Sequence, residues 1–192
     1  TYAISIILEV QTAEETIRAV KDLKLIIDPT LVGNQNPAII GLSIGEFDST
    51  LSDKEIDEQK ESIFASAESI DDEDSFSISA DKNYVLFAEL PEDAVETYIE
   101  PSPEDTSAPS STEEALIISW FIELGELDST RTGYVPGEIN LETASENLWT
   151  PPIDLSDYEK DSAKIYVVIR DDRGGSSWLQ RHLDVSALGD VQ

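Results

Sequence analysis

Forty-one carboxylates and one histidine are the side chains in this chain whose types suit acid–base or metal chemistry. The densest acidic run is Asp71-Asp72-Glu73-Asp74. Calcium takes six to eight oxygens from a flexible loop, which such a run can offer. The run lacks the alternating Asp-x-Asp-x-Asp-Gly spacing that turns successive oxygens toward one ion, so it makes a weak calcium site, and no other cofactor is expected. Asp171 and Asp172, at a sandwich end, form an equally weak pair. Two carboxylates can run glycoside hydrolysis, but among 41 acids chance pairing is too frequent to carry information. His182 shares a period-2 phase with Trp178, Gln180 and Asp184, opposite Leu183 and Val185, which reads as a surface position without a partner nucleophile. The chain has no Gly-x-Ser-x-Gly, phosphate-binding glycine loop or His-Glu-x-x-His, and no cysteine for a thiol nucleophile, zinc site or disulfide. A non-catalytic protein is expected. Trp149 and Trp178 are the remaining candidates for ligand contact, because an exposed indole is a platform for sugar stacking or protein contact; the plainer reading is that each packs beneath a loop.

Charge narrows the partners. Against the 41 acids stand 12 basic side chains, a formal net charge of −29. Such a chain repels nucleic-acid phosphates and anionic lipid, so a nucleic-acid role is excluded. A heavily solvated surface, of the kind adapted to sea water or brine, is the plainer explanation of the acidity, ahead of a specific divalent-cation role. No apolar run approaches the ~20 residues of a membrane helix, so direct membrane insertion is not expected. The absence of methionine, even at position 1, suggests a processed product or a fragment.

The elements that would position these residues are strands. Leu116, Ile118, Trp120, Ile122 and Leu124 fall in one phase and Gly125 closes the run, which predicts a core strand with Trp120 at its centre, read as the central strand of a sandwich. Tyr2, Ile4, Ile6, Leu8 and Val10 alternate likewise, the turn 11–15 follows, and Ile17 to Ile27 alternates again, predicting a hairpin. A lone hairpin is marginal in water and must pack on something. The stretch 28–37 is rich in Pro, Gly and Asn and reads as a linker, with Pro37 to Ile44 as the next strand. Ser52 and Glu55 fit a capping box, so 53–66 is a short helix or, alternatively, an acidic loop. Strands are predicted over 76–80, 84–90 and 95–99, and 101–112 is too Pro- and Ser-rich to order itself. Pairing segments follow at 125–134, 138–141 and 147–150. Ala163 to Arg170 is a strong strand, Asp171 to Gly175 a tight turn, and Trp178 to Val185 the return strand.

Short strands at turn-separated spacing, a tryptophan on a core strand and a closing hairpin are the signals of an immunoglobulin-like sandwich. Asn36-Pro37 before an apolar strand, Ile118-Ser119-Trp120-Phe121 leading into Leu124-Gly125, Trp149-Thr150-Pro151-Pro152, and the run Tyr166 to Gly175 resemble the Ig-like and PKD-like modules of bacterial surface proteins and lipoproteins. The resemblance covers about residues 34 to 186, without the Asp-Phe-Gly-Asp-Gly of PKD domains or the inter-sheet cysteines of antibody domains. The fold class expected is all-β: an antiparallel immunoglobulin-like β-sandwich over 34–192, with an additional N-terminal β-hairpin and linker over 1–33 and one short helix. The hairpin is either the end of a preceding Ig-like module or an extra layer on this one. The resemblance implies an extracytoplasmic structural or adhesive module, periplasmic, secreted or on the cell surface. Its partners would be other protein subunits or domains of a surface assembly, met at strand edges and loop ends. The alternatives are a carbohydrate-binding module that meets glycans through Trp149 or Trp178, and a filament subunit that exchanges its hairpin.

Overall fold

The computed structural model describes residues 2–13, 15–25, 33–48, 50–70, 76–79, 82–99, 111–152 and 161–185. In chain order the elements are β1 (Tyr2–Gln11), β2 (Thr16–Leu25), β3 (Gly41–Asp48), α1 (Asp53–Ala65), β4 (Glu68–Ser69), β5 (Phe76–Ser77), β6 (Lys82–Glu89) and β7 (Thr97–Ile99). They continue with β8 (Ser111–Glu113), β9 (Leu116–Ile122), β10 (Glu126–Leu127), β11 (Arg131–Tyr134), α2 (Leu141–Ala144), β12 (Glu146–Thr150), β13 (Ser162–Asp171) and β14 (Ser176–Asp184). The described chain is mostly β.

Two five-stranded sheets form the body, in the orders β10-β12-β6-β3-β4 and β11-β9-β13-β14-β5. All neighbours are antiparallel except β14 and β5, which run parallel. Alternation decides which side chains face inward. Leu42 and Ile44 on β3, Leu86 on β6 and Trp149 on β12 meet Ile118 and Trp120 on β9, Ile165 and Val167 on β13 and Leu183 on β14 in one continuous core. The middle of the second sheet falls to β13, not to the Trp120 strand as expected; β13 alternates over ten residues and pairs along most of its length on both sides. The edge strands β4, β10 and β5 have two residues each and β11 has four, so each pairs with only part of the strand behind it: β5 meets β14 at Leu183 and Asp184, and β4 meets β3 at Ser43 and Ile44.

The helix forms where the capping box predicted it. The Ser52 backbone N–H and hydroxyl both donate to Glu55 Oε2, at 2.9 and 2.6 Å, and these bonds to Ser52 hold the Glu55 carboxyl below its ordinary pKa. Its apolar stripe, Ile56 and Ile63, packs on Phe47, Val85 and Phe87, the outward side chains of β3 and β6. The first sheet is therefore covered on both faces, and β6 is buried along its centre.

Two expectations shift. The strand placed at 37–44 begins at Gly41: Asn36 and Pro37 bond to the start of β14 instead of to a ladder, and Ile40 N, donating to Glu89 O at 2.8 Å, leads into the pairing with β6. The segment around 138–141 gives one bridge, Val135 to Ile139, and then a short helix capped by the Asn140 side chain, which accepts from Thr143 N at 2.7 Å.

β1 and β2 pair in full register as a two-stranded sheet of their own. On one face lie the pairs Ile4–Leu23, Ile6–Lys21, Leu8–Ala19 and Val10–Ile17. On the inward face of β13–β14 lie Ala163–Leu183, Ile165–Arg181, Val167–Leu179 and Ile169–Ser177. The two hairpins thus share strand length, pairing phase and the place of one basic residue opposite an isoleucine.

Candidate functional site

Three surface features carry unusual chemistry, and each is set by the alternation of a strand. The first is the outward face of the second sheet. Phe121 on β9 pairs directly with Tyr166 on β13, which pairs in turn with Gln180 on β14, and Trp178 stands on the diagonal beside Val168. Directly paired side chains stand ~5 Å apart and diagonal ones ~7–8 Å, so three aromatic rings form a row across three strands. Phe121 is 53% and Trp178 66% exposed. Arg131, Lys164, Arg170 and His182 share this face by register and phase. Three of the 12 basic side chains of a −29 chain, with its one histidine, thus surround the aromatic row. His182 Nε2 lies 3.1 Å from Gln180 Nε2. Unlike the outer face of the first sheet, this one has no helix across it among the described residues.

The second feature is a clamp at the β13–β14 turn. Asp171, nearly buried, accepts from Arg173 N (2.9 Å) and Gly175 N (2.6 Å) through Oδ1, and from Asn34 Nδ2 (2.8 Å) through Oδ2. Arg173 Nη1 sits 3.1 Å from Glu96 Oε2 and 3.8 Å from Glu114 Oε2, and its guanidinium lies 4.4 Å above the Tyr98 ring. Glu114 is 1% exposed. Burial raises its pKa, with Asp171 and Glu96 adding to the rise, while the bond from Glu96 N and the charge of Arg173 work against it. A cleft of about 310 Å³ beside the clamp is lined by residues 35–38, 91, 93–97 and Glu114. The guanidinium is the cation of this acid group, so its chemistry is that of a structural tie. Among the described residues no set of three or more acids or histidines is arranged to hold a metal.

The third feature is the β1–β2 face, where Ile4, Ile6, Leu8, Val10 and Ile17 are each about half exposed.

The two tryptophan candidates separate. Trp149 is 1% exposed: its ring stacks at 5.3 Å on Tyr84 and its Nε1 donates to Leu124 O at 2.9 Å, so it is a core residue and no platform. Its phase on β12 points inward, and Gly125, at φ +77°, leaves room for the indole nitrogen where a Cβ would collide. Trp178 is the exposed one. Asp71, Asp72, Glu73 and Asp74 lie outside the described residues. Sequence reasoning did not single out Phe121, Tyr166, Glu96, Glu114 or Arg173. The first two stand in alternating strands whose outward phase was readable, but the glutamates were indistinguishable among so many acids.

No family model, curated protein or solved structure matches this chain.

Proposed function

We propose that the body is an immunoglobulin-like module of an extracytoplasmic bacterial protein, non-catalytic, and that it acts by contact through the outward face of β9, β13 and β14. Strand order supports the fold reading. The sequence β3, β6, β9, β10, β12, β13, β14 takes the places of strands A to G: A-B-E-D in one sheet, C-F-G in the other, with a buried tryptophan on C. One observation carries the contact reading: the outward row Phe121, Tyr166 and Trp178, exposed at both ends, with Arg131, Lys164, Arg170 and His182 on the same face of an otherwise acidic chain and Glu123 and Asp184 at its margin. Aromatic and arginine side chains supply most contact energy at protein interfaces, and their clustering on one uncovered sheet face marks it as the contact surface.

Protease shaving of intact source cells should release peptides of this chain, and the native assembly that contains it should fall to lower mass on Trp178→Ala while the variant keeps its unfolding midpoint. Failure of both measurements overturns the reading. The exposed indole favours one second reading, a carbohydrate contact at the same face. Glycan-array binding that Trp178→Ala abolishes, with assembly mass unchanged, would select it over the protein contact.

A further inference from the structure

The β1–β2 hairpin presents a finished face and an unfinished one. On one face Arg18 Nε pairs with Glu9 across the strands at 2.6 Å and Ser5 Oγ donates to Asp22 at 2.5 Å, polar pairs of a solvent surface that flank the exposed pair Ile7–Val20. The opposite face is aliphatic, with Lys21 as the one charge on its described side chains. Contiguous apolar patches of several hundred Å² are rare on monomers and mark a covered surface. In β13–β14, which has the same build, the equivalent face is covered by the opposing sheet, and the basic residue at the place of Lys21, Arg181, reaches across to donate to Ile70 O.

We propose that β1–β2 is the closing strand pair of a second module, built like the body and joined ahead of it in one longer polypeptide, and that the opposing sheet of that module covers the aliphatic face. Two arguments choose this occupant over a second copy of the chain. The face offers eight side chains in four cross-strand pairs, short of the ~20–30 residues a side usual for a stable, specific complex, whereas a tethered segment needs far less. Charge points the same way. The span 2–25 holds four acids (Glu9, Glu14, Glu15, Asp22) against three bases (Arg18, Lys21, Lys24), so 28 of the 29 net negative charges lie elsewhere, and two copies brought together would repel. The hairpin's Lys21 Nζ also donates to Gly174 O in the β13–β14 turn, which ties the hairpin to the body. The inference rests on the build of β13–β14 and not on the contact face, so either can fail alone.

Hydrogen exchange tests it. In the natural protein isolated from its source, amides of β1–β2 should be protected within about tenfold of those of β13–β14. In the 192-residue chain made alone, which should be monomeric, they should exchange at least ~100-fold faster than those of β13–β14. Leu8→Asp in the natural protein should abolish the hairpin's protection and leave that of β13–β14 unchanged. The inference is overturned by a natural protein with the mass of these residues alone, by hairpin amides that stay unprotected in it, by no effect of Leu8→Asp, or by a dimer of the chain whose hairpin amides are protected.

Discussion

Two hairpins of one design stand in different surroundings. β13–β14 is embedded: β9 and β5 flank it, and the first sheet covers its inward face. β1–β2 has the same pairing phase but leaves its corresponding aliphatic face exposed. Local pattern makes the strand pair; only the opposing layer turns its side chains into a core.

The difference is sharpest at equivalent positions. Ile165→Ala should cost ~2–5 kcal/mol by urea unfolding, whereas Ile6→Ala should stay within ~0.5 kcal/mol in the 192-residue chain. Equal costs would break the comparison. The turns come next. A Cβ on Gly175 would meet Asp171, Asn34 and Pro37, so Gly175→Ala should cost ~1–3 kcal/mol, while Glu15→Ala in the other turn should be nearly neutral by the same assay. The basic pair refines it further. Arg181→Met keeps the apolar stem but removes the buried donor to Ile70 O and should cost ~1–3 kcal/mol, against less than ~0.5 kcal/mol for Lys21→Met, whose bond to Gly174 O is exposed to water.

The smallest effect depends on pH. Glu114 binds its proton more tightly folded than unfolded, so its charged form detracts from stability at neutral pH, and that loss disappears as pH falls through its raised pKa toward and below the ordinary 4.5. Glu114→Gln should therefore melt higher than the parent at pH 7, with the gap closing below about pH 4.5. Thermal melts across that range check it, and a gap that widens in acid would show that the tie to Arg173 dominates.

Much of this architecture was legible because alternation is a strong signal. β1, β9, β13 and β14 were read from phase alone, and α1 from Ser52 and Glu55. The rest needed three-dimensional knowledge. Residues before Gly41 looked like a strand start but are held by the turn at 171–177. Trp149 and Trp178 stood as equal candidates beside the plainer reading that each packs, and what separates Trp149, its neighbours Tyr84 and Leu124, is distant in sequence. The aromatic row joins one residue from each of three strands, and pairing register, which no single strand encodes, brings them together.

The tie between the segment before β3 and the last turn has a mechanical consequence. Asn34 to Asp171, Ser176 to Asn36 and Ser177 to Pro37 hold the entrance of the body beside the start of its final strand, while that strand leaves the body at Val185. A pull applied between residues 33 and 185 meets these three bonds before it can peel β3 from β6. Force therefore enters through side-chain bonds to another strand pair before it reaches the end of a ladder.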